Sequence, residues 1–312
     1  MGERTIDDLR QLQALPLWIK IKHTERRIRD WVNYYGEDGV YISFSGGKDS
    51  TVLLDIVRKL YPNIEVVYAD TGLEYPEIKA FVKSFNNVTI VRPKMSFKQV
   101  IETYGYPVAS KETAKTIYDA KRGGKLALEK ANRTLKDANG NPSPYILAKR
   151  WQPLMDAPFN VSHKCCDIIK KKPLKAIKKR AILATMAEES KLRTLKWLQN
   201  GCNAFDTKDP ISSPMSFWTE QDVLQYIKEN NLPICSVYGE IMENENGNLT
   251  TTKAKRTGCV FCMFGVHLEK EPNRFQLLKQ AHPKLWEYCL KPTDLGGLGM
   301  KEVLDYIGVK YE

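Results

Sequence analysis

The sequence lacks several features that would place the protein in or across a membrane. It contains no run of the roughly 20 apolar residues that a membrane-spanning helix requires. Its charged first ten residues, MGERTIDDLR, have no apolar core of a secretory signal, and Ile6 stands where the myristoylation pattern needs Ser or Thr. These absences predict a cytoplasmic protein without a membrane partner.

The chain also lacks an even number of cysteines, which a complete set of disulfides would need. The chain has seven cysteines, and without a secretory signal an odd number argues against a disulfide framework. Clustered cysteines in an intracellular protein are more often metal ligands or catalysts, so their spacing becomes informative.

What is present is an ordinary globular composition with a strong positive charge. Hydrophobic residues make up 42% of the 312 residues, enough for a large α/β domain. The net charge of +11 favours anionic partners, either nucleotides or nucleic acid. Lys and Arg are concentrated in residues 111–150 and again in residues 170–180. Such clusters can equally be solvated helix faces.

Strand and helix signals alternate along the first third of the chain. Helical spacing over residues 5–36 is interrupted at Pro16 and ends at Gly36. Three apolar, β-rich runs follow, each succeeded by a helical pattern, at residues 39–44, 64–69 and 88–91. This rhythm predicts an α/β fold with a doubly wound parallel sheet.

The rest of the chain predicts an insertion and a mixed C-terminal region. Helices over 111–120 and 125–137 surround a loop in a basic insertion of about 111–155. A strand is predicted over 182–186, and a capping box at Thr219 starts a helix over 220–230. We therefore expect N-terminal helices in 1–36, a nucleotide-binding domain in 37–235 and a C-terminal region in 236–312.

Residues 45–50 (SGGKDS), here called the anion loop, carry the strongest chemical signal. They lie between a predicted strand and a predicted helix, where glycines let the backbone approach an anion and the first helical N–H groups point at it. Lys48 adds positive charge, and Ser45 and Ser50 add hydroxyl donors. The spacing of a Walker A loop is absent. An ordinary glycine turn is the alternative.

A second loop, Asp70-Thr71-Gly72, follows the second predicted strand. Ligands of doubly wound sheets bind beyond the carboxyl ends of the strands. We therefore expect both loops at one crevice.

Four of the cysteines form two tight pairs, Cys165-Cys166 and Cys259-x-x-Cys262. Four thiolates could bind zinc or a [4Fe-4S] cluster. Adjacent cysteines are unusual in structural zinc sites, but they can reach two corners of a cubane. Ordinary buried thiols are the remaining alternative.

The anion loop resembles the pyrophosphate-binding loop (PP-loop) of the adenine nucleotide alpha-hydrolase superfamily, which includes ATP pyrophosphatases, tRNA thiolases and phosphoadenylylsulfate (PAPS) reductases. Asp70-Thr71-Gly72 resembles the second nucleotide loop of the PAPS reductases, and Glu188-Glu189-Ser190 with Arg193 resembles a later segment. The resemblance implies that the nucleotide is bound by a set of residues from these segments: Ser43, Ser45, Gly46, Gly47, Lys48, Asp49, Ser50, Asp70, Thr71, Gly72 and Arg193.

The cysteine spacing resembles the iron–sulfur signature of assimilatory adenylylsulfate reductases. Pro173-Leu174 follows the first pair as in that family, although an expected arginine is missing. The resemblance implies a [4Fe-4S] cluster bound by four residues: Cys165, Cys166, Cys259 and Cys262.

One departure from the family affects the predicted reaction. Sulfonucleotide reductases carry a nucleophilic cysteine in a C-terminal Glu-Cys-Gly-x-His motif, which residues 306–312 do not contain. The nearest cysteine, Cys289, lies in a helical setting typical of a packed core thiol. The main hypothesis is therefore cleavage of ATP between its α- and β-phosphates, coupled to sulfur transfer. Lys48 and Asp49 are the predicted catalytic residues, with Mg²⁺ held by Asp49.

Two other functions remain open. One is PAPS or adenylylsulfate reduction with a substitute nucleophile, Cys289 or Cys235. The other is a nucleotide-binding regulatory or defence component without turnover. The expected partners are an adenine nucleotide, a sulfur or electron donor, a further copy of the chain in a homo-oligomer and, through the basic clusters, tRNA or DNA. A small metabolite is an alternative sulfur acceptor.

Overall fold

The computed structural model describes residues 4–312. The helices are α1 (Ile6–Gln13), α2 (Leu17–Tyr35), α3 (Lys48–Leu60), α4 (Pro76–Lys83), α5 (Phe97–Tyr104), α6 (Lys111–Ala120), α7 (Lys125–Ala131), α8 (Lys172–Lys175), α9 (Lys191–Asn200), α10 (Glu220–Glu229), α11 (Arg274–Ala281), α12 (Pro283–Leu290) and α13 (Met300–Tyr306). The strands are β1 (Val40–Ser43), β2 (Glu65–Ala69), β3 (Val88–Val91), β4 (Val108–Ala109), β5 (Arg180–Ile182), β6 (Asn203–Ala204), β7 (Ile211–Ser212), β8 (Ile241–Glu243), β9 (Leu249–Thr251) and β10 (Met263–Phe264). Among the helices of the described residues, none has the length and apolar character that a bilayer span needs.

The chain divides into two compact units that interleave along the sequence. The first, here called the sheet unit, comprises the described residues through Asp70 together with Glu74–Val91 and Lys175–Thr257. The second, the cysteine unit, comprises Thr71–Leu73, Arg92–Leu174 and Gly258–Glu312. The three consecutive domains expected from the sequence, 1–36, 37–235 and 236–312, stay a prediction.

The sheet unit is built on six strands in the order β3-β2-β1-β5-β7-β6. Strands β3, β2, β1, β5 and β7 are parallel, and the edge strand β6 runs antiparallel to β7. Because β2 and β3 follow β1 on one side while β5 lies on the other, the order reverses at β1. The predicted α/β fold with a doubly wound, largely parallel sheet is confirmed.

Apolar side chains from the strands and helices form the core of the sheet unit. Val40 and Ile42 of β1 are fully buried, as is Leu53 on the inner face of α3. Trp31 of α2 is also fully buried, with its ring centroid 5.0 Å from that of Phe205. Each such side chain contributes about 1.5–3 kcal/mol by burial. This core holds β1 and α3 in place and so positions the loop between them.

The cysteine unit combines helices with a short parallel pair of strands. Val108 of β4 pairs with Met263 of β10, and Tyr106 forms an isolated bridge with Val161. Helix α5 begins at a capping box in which Ser96 accepts from the N–H of Gln99.

Two predicted elements differ from the structure. The strand expected over 182–186 lies earlier in the chain. It is β5, Arg180–Ile182, and the chain leaves the sheet after Ile182. Met186 is apolar because it packs into the core rather than because it lies in a strand. The helix expected over 125–137 ends at Ala131, since Arg133 adopts a left-handed φ of 61° that a helix cannot continue through.

Candidate functional site

The anion loop links the carboxyl end of β1 to the start of α3 at the switch point of the sheet. The Phe44 N–H donates to the Val67 carbonyl at 2.9 Å, so the loop leaves β1 beside β2. Gly46 has a φ of 72°, and a Cβ there would lie 2.8 Å from Val82 Cγ2. The first-turn N–H groups of α3 have no acceptor within the helix and therefore suit an anion.

The serines of the loop hold it in shape. The Ser50 hydroxyl donates to the Gly47 carbonyl at 2.9 Å, and the Ser45 and Ser50 hydroxyls lie 3.0 Å apart. Ser50 is buried whereas Ser45 is exposed, so Ser45 is the hydroxyl that a ligand can reach, by taking the place of Ser50 as its acceptor. Ser43, the last residue of β1, pairs with Val67 in the sheet.

Lys48 is engaged by protein groups. Its Nζ lies 2.7 Å from Glu220 Oε1 and donates to the Lys255 carbonyl at 2.5 Å, and the residue is only 4% exposed. Glu220 in turn donates its backbone N–H to Glu188 Oε1 at 2.5 Å. The lysine of the loop therefore joins three segments of the sheet unit.

Asp49 lies beside Lys48 in the first turn of α3. Its Oδ1 is buried and has no hydrogen-bond partner among the described residues. Burial raises the pKa of this carboxyl group, an effect that the charges of Lys48, Arg256 and Arg193 oppose. An unpartnered carboxylate oxygen in such a position is suited to a cation, as predicted for Mg²⁺.

Arg193 lies in α9. Its charge acts on Asp49, as the charges of Lys48 and Arg256 do, so these four residues form one charged group. The Arg193 guanidinium forms an ion pair with Glu189, whose other contact is the backbone N–H of Met186 at 2.9 Å. Burial lowers the pKa of Arg193, and the nearby charge of Arg256 lowers it further. The structure thus brings Arg193 together with the anion loop in the sheet unit.

Sequence reasoning missed four residues of this group. The sequence indicates Glu220 only as the start of a capped helix, and Glu188 only as part of a family segment. Tyr238 donates to or accepts from Thr257 Oγ1 at 2.8 Å, and its ring centroid lies 5.7 Å from Lys48 Nζ. Burial raises the pKa of Tyr238 to about 12. Arg256 carries no family motif, so no signal in the chain pointed to it.

The second predicted loop is divided between the units. Asp70 directly follows β2 in the sheet unit and pairs with Lys79 at 2.9 Å. Thr71 and Gly72 belong to the cysteine unit, where the Thr71 hydroxyl accepts from the N–H of Leu73 at 3.2 Å. The crevice that this loop is expected to share with the anion loop stays a prediction.

The four paired cysteines line one cavity in the cysteine unit. Cys165 Sγ lies 3.9 Å from Cys166 Sγ, and a turn brings the N–H of Cys262 to the Cys259 carbonyl at 3.1 Å. Apart from Lys170, the remaining lining is mostly apolar: Thr71, Leu73, Phe97, Pro107, Ile169 and Phe261. Residues Cys166–Lys171 form a turn of π-helix, a conformation that is rare and often found at functional sites.

A hydrogen bond between the two adjacent thiols shifts their pKa values in opposite directions. The Cys165 thiol donates to Cys166, which lowers the pKa of Cys166, and the charges of Lys111 and Lys170 act in the same direction. Burial raises the pKa of Cys262. Of Cys165, Cys166 and Cys262, Cys166 is therefore the thiol that ionises most readily, since the pKa values of the other two are raised.

Four thiols around one largely apolar cavity match the donor chemistry of an iron–sulfur cluster. Among residues 4–312, however, no group of three or more His, Cys, Asp or Glu is arranged so that it could hold a metal ion. The geometry thus brings the predicted ligands into one cavity without forming a coordination sphere, and the cluster stays unconfirmed.

The two cysteines considered as substitute nucleophiles are buried. Cys289 is 0% exposed, contacts Met300 Sδ at 3.4 Å, and has a pKa raised to about 12 by burial. Cys235 is also buried, which raises its pKa. Neither thiol has the exposure or the lowered pKa of a reactive cysteine.

Fold and site together define an α/β protein with the glycine-containing anion loop at the switch point of a doubly wound sheet. The family model described as "Phosphoadenosine phosphosulfate reductase domain" matches residues 39–139 and 108–263. The chain belongs to this family. The matched residues include the anion loop and all four paired cysteines.

Two relatives with assigned names agree with the family. The chain is 23% identical over 240 residues to adenosine 5'-phosphosulfate reductase of Staphylococcus epidermidis, covering 75% of this chain and 74% of that protein. It is 25% identical over 242 residues to the enzyme of the same name from Oceanobacillus iheyensis, covering 76% of each. A solved phosphoadenylyl-sulfate (PAPS) reductase from Candida auris, in a phosphate complex, aligns with a TM-score of 0.40 and 13% identity over 79% of this chain and 98% of that one.

Proposed function

We propose that this protein is a sulfonucleotide reductase that takes adenylyl sulfate, with or without a 3′-phosphate, and releases sulfite. The observation that carries the proposal is the extent of the family match, which includes both the anion loop and the paired cysteines. The named adenosine 5'-phosphosulfate reductases support the same reaction.

The reaction needs two electrons, which two thiols supply. A thiolate attacks the sulfur of the sulfonucleotide, the bond from sulfur to the bridging oxygen breaks, and the nucleotide leaves as its 5′-phosphate. A second thiol then attacks the sulfonated thiol, so that sulfite leaves and a disulfide forms. Since Cys235 and Cys289 are both buried, we propose that a separate dithiol donor supplies these thiols.

The residues of the sheet unit would assist by binding the leaving phosphate. Negative charge develops on the bridging oxygen as the bond breaks. The first-turn N–H groups of α3, the Ser45 hydroxyl and the positive charge of Arg193 would together stabilise that charge. A [4Fe-4S] cluster held by Cys165, Cys166, Cys259 and Cys262 would supply a redox or electrostatic centre.

The test is sulfite release by anaerobically purified protein with adenylyl sulfate or PAPS and a dithiol donor. We expect sulfite, and less of it from Ser45→Ala, because that variant loses a hydroxyl donor to the phosphate. Ser84→Ala is the matched control, since its hydroxyl only contacts the Phe81 carbonyl on α4. No sulfite from either nucleotide under any donor condition would contradict the proposal.

A second candidate is ATP cleavage with sulfur transfer, favoured by the buried, unpartnered oxygen of Asp49. Asp49 would hold Mg²⁺ on the leaving pyrophosphate, and tRNA or DNA would be the sulfur acceptor. Its test is pyrophosphate release from ATP and Mg²⁺, lost in Asp49→Asn. Nucleotide binding with neither product would instead indicate a regulatory component.

A further inference from the structure

Residues 252–257, here called the strap, follow β9 in the sheet unit. The strap is tied to the segment around Tyr238 by backbone hydrogen bonds, with Thr252 N–H donating to the Glu240 carbonyl at 2.9 Å and Ala254 N–H donating to the Val237 carbonyl at 3.2 Å. These bonds give the strap a defined path.

Two further contacts fix the strap at the anion loop. Lys48 Nζ donates to the Lys255 carbonyl at 2.5 Å, and the Tyr238 hydroxyl lies 2.8 Å from Thr257 Oγ1. Tyr238 itself reaches the loop, because a Cβ on Gly47 would lie 3.3 Å from its hydroxyl oxygen. Arg256 therefore lies between two residues that are both anchored beside the loop.

Arg256 is the uncommitted cation of this site. Lys48 is paired with Glu220 and Arg193 with Glu189, whereas within residues 4–312 no hydrogen bond or ion pair holds the exposed Arg256 guanidinium. Its charge nevertheless influences the pKa of Asp49, Glu188 and Arg193, so it belongs to the same charged group.

From this arrangement we propose that Arg256 binds the outer oxyanion of the nucleotide, the sulfate of a sulfonucleotide or the β-phosphate of a diphosphate. Lys48 acts as a positioning residue that holds the strap through the Lys255 carbonyl. A guanidinium fits this task because it binds sulfate and phosphate oxygens in a bidentate way. The inference rests on the proposed function, in that it takes the anion loop as the nucleotide site.

The first test compares ADP with AMP, because ADP carries an outer oxyanion and AMP does not. By isothermal titration calorimetry, Arg256→Ala should weaken ADP binding by about 10- to 100-fold, the range for charge-assisted hydrogen bonds, and change AMP binding by less than about twofold. Arg256→Lys should recover only part of the loss. Lys253→Ala removes an exposed charge from the same strap and should bind both nucleotides like the wild type.

The second test separates positioning by Lys48 from direct binding. Lys48→Met should weaken ADP binding as Arg256→Ala does, and the double variant should be no weaker than either single variant, because both changes remove one contact. Hydrogen exchange of the strap amides should rise in Lys48→Met and stay unchanged in Arg256→Ala. Additive losses, with AMP binding also lost in Lys48→Met, would overturn the positioning role.

The outcomes keep this inference apart from the proposed reaction. Equal losses for ADP and AMP in Arg256→Ala, or no loss for either, overturn the inference while wild-type sulfite release still supports the reductase. Selective loss of ADP binding without sulfite release supports the inference and contradicts the reductase. A wild-type protein that binds neither nucleotide overturns the inference, and sulfite release then decides the reductase separately.

Discussion

Gly46 is the residue of the anion loop at which both backbone conformation and space exclude a side chain. Its φ is 72°, and an added Cβ would lie 2.8 Å from Val82 Cγ2 and 3.0 Å from Ile78 Cγ2. We expect Gly46→Ala to lower the free energy of unfolding by about 2–5 kcal/mol, because left-handed strain of about 1–2 kcal/mol adds to overpacking of about 1–3 kcal/mol. Urea denaturation measures the change.

Gly36→Ala is the matched control for this prediction. Gly36 has a φ of 78° in the same unit, but an added Cβ meets nothing within 4 Å. Its ψ of 155° lies in a region that residues other than glycine seldom adopt, so Gly36→Ala should lose about 1–3 kcal/mol to backbone strain and nothing to crowding. Equal losses in the two variants would show that crowding around Gly46 is unimportant.

Cys289 should behave as an inert core thiol. Burial raises its pKa from 9.0 to about 12, so the folded protein retains the proton where the unfolded chain releases it. Its contribution to stability is therefore complete below pH 9 and is lost as the pH rises from 9 towards 12. The excess stability of the wild type over Cys289→Ala should shrink from pH 8 to pH 10 in urea denaturation.

Alkylation provides a separate readout of the same burial. Iodoacetamide should modify the peptide containing Cys289 only after unfolding, as followed by mass spectrometry. Folded Cys289→Ala should still release sulfite at a rate within about twofold of the wild type. A small packing change in the core should act independently of the nucleotide site. Loss of all sulfite release in a folded variant would instead identify Cys289 as the nucleophile.

At the scale of elements, a buried ion pair connects α2 to α10. Lys20 Nζ lies 2.6 Å from Asp222 Oδ2, and the lysine is 2% exposed. Lys20→Met should destabilise the protein by about 3–5 kcal/mol, because it leaves a buried carboxylate without its counter-charge. Thermal or urea unfolding measures the loss.

The double variant Lys20→Met/Asp222→Asn should regain part of this stability, because no buried charge is left unpaired. Arg10→Ala removes an exposed pair with Asp7 on α1 and should change stability by less than about 1 kcal/mol. If Lys20→Met also changed stability by less than about 1 kcal/mol, α10 would not depend on this pair.

Element boundaries were predictable from the sequence wherever local signals set them. The strand Val88–Val91 and the capping box at Thr219 are both found as predicted. The site was less predictable because its contacts are not local. Lys48 meets Glu220 across 172 residues and the Lys255 carbonyl across 207, separations that no periodicity reveals.

At the scale of the whole molecule, the charge of +11 bears on nucleic-acid binding. If α6 and α7 of the basic insertion contact a polyanion, Lys125→Glu/Lys130→Glu should weaken binding of bulk tRNA by about tenfold or more at 50 mM salt. The salt dependence should also become shallower, because fewer counterions are released. Fluorescence anisotropy with labelled tRNA measures both quantities.

The control is Lys301→Glu, a charge reversal at an exposed position of α13 outside the insertion. It should have a smaller effect on affinity and on the salt dependence. Absence of tRNA and duplex DNA binding at low salt would contradict a nucleic-acid partner altogether.

The interleaving of the two units has a consequence for synthesis on the ribosome. Strand β1 pairs with β2 and also with β5, and the two partners are separated by the first long segment of the cysteine unit. At about 5–20 residues per second, β5 is translated on the order of ten seconds after β1. During that time one edge of β1 has no partner strand. Cys165 and Cys166 are likewise translated well before Cys259 and Cys262. We expect nascent chains stalled before residue 180 to be captured by chaperones, and any metal loading to occur only in the last stage of translation.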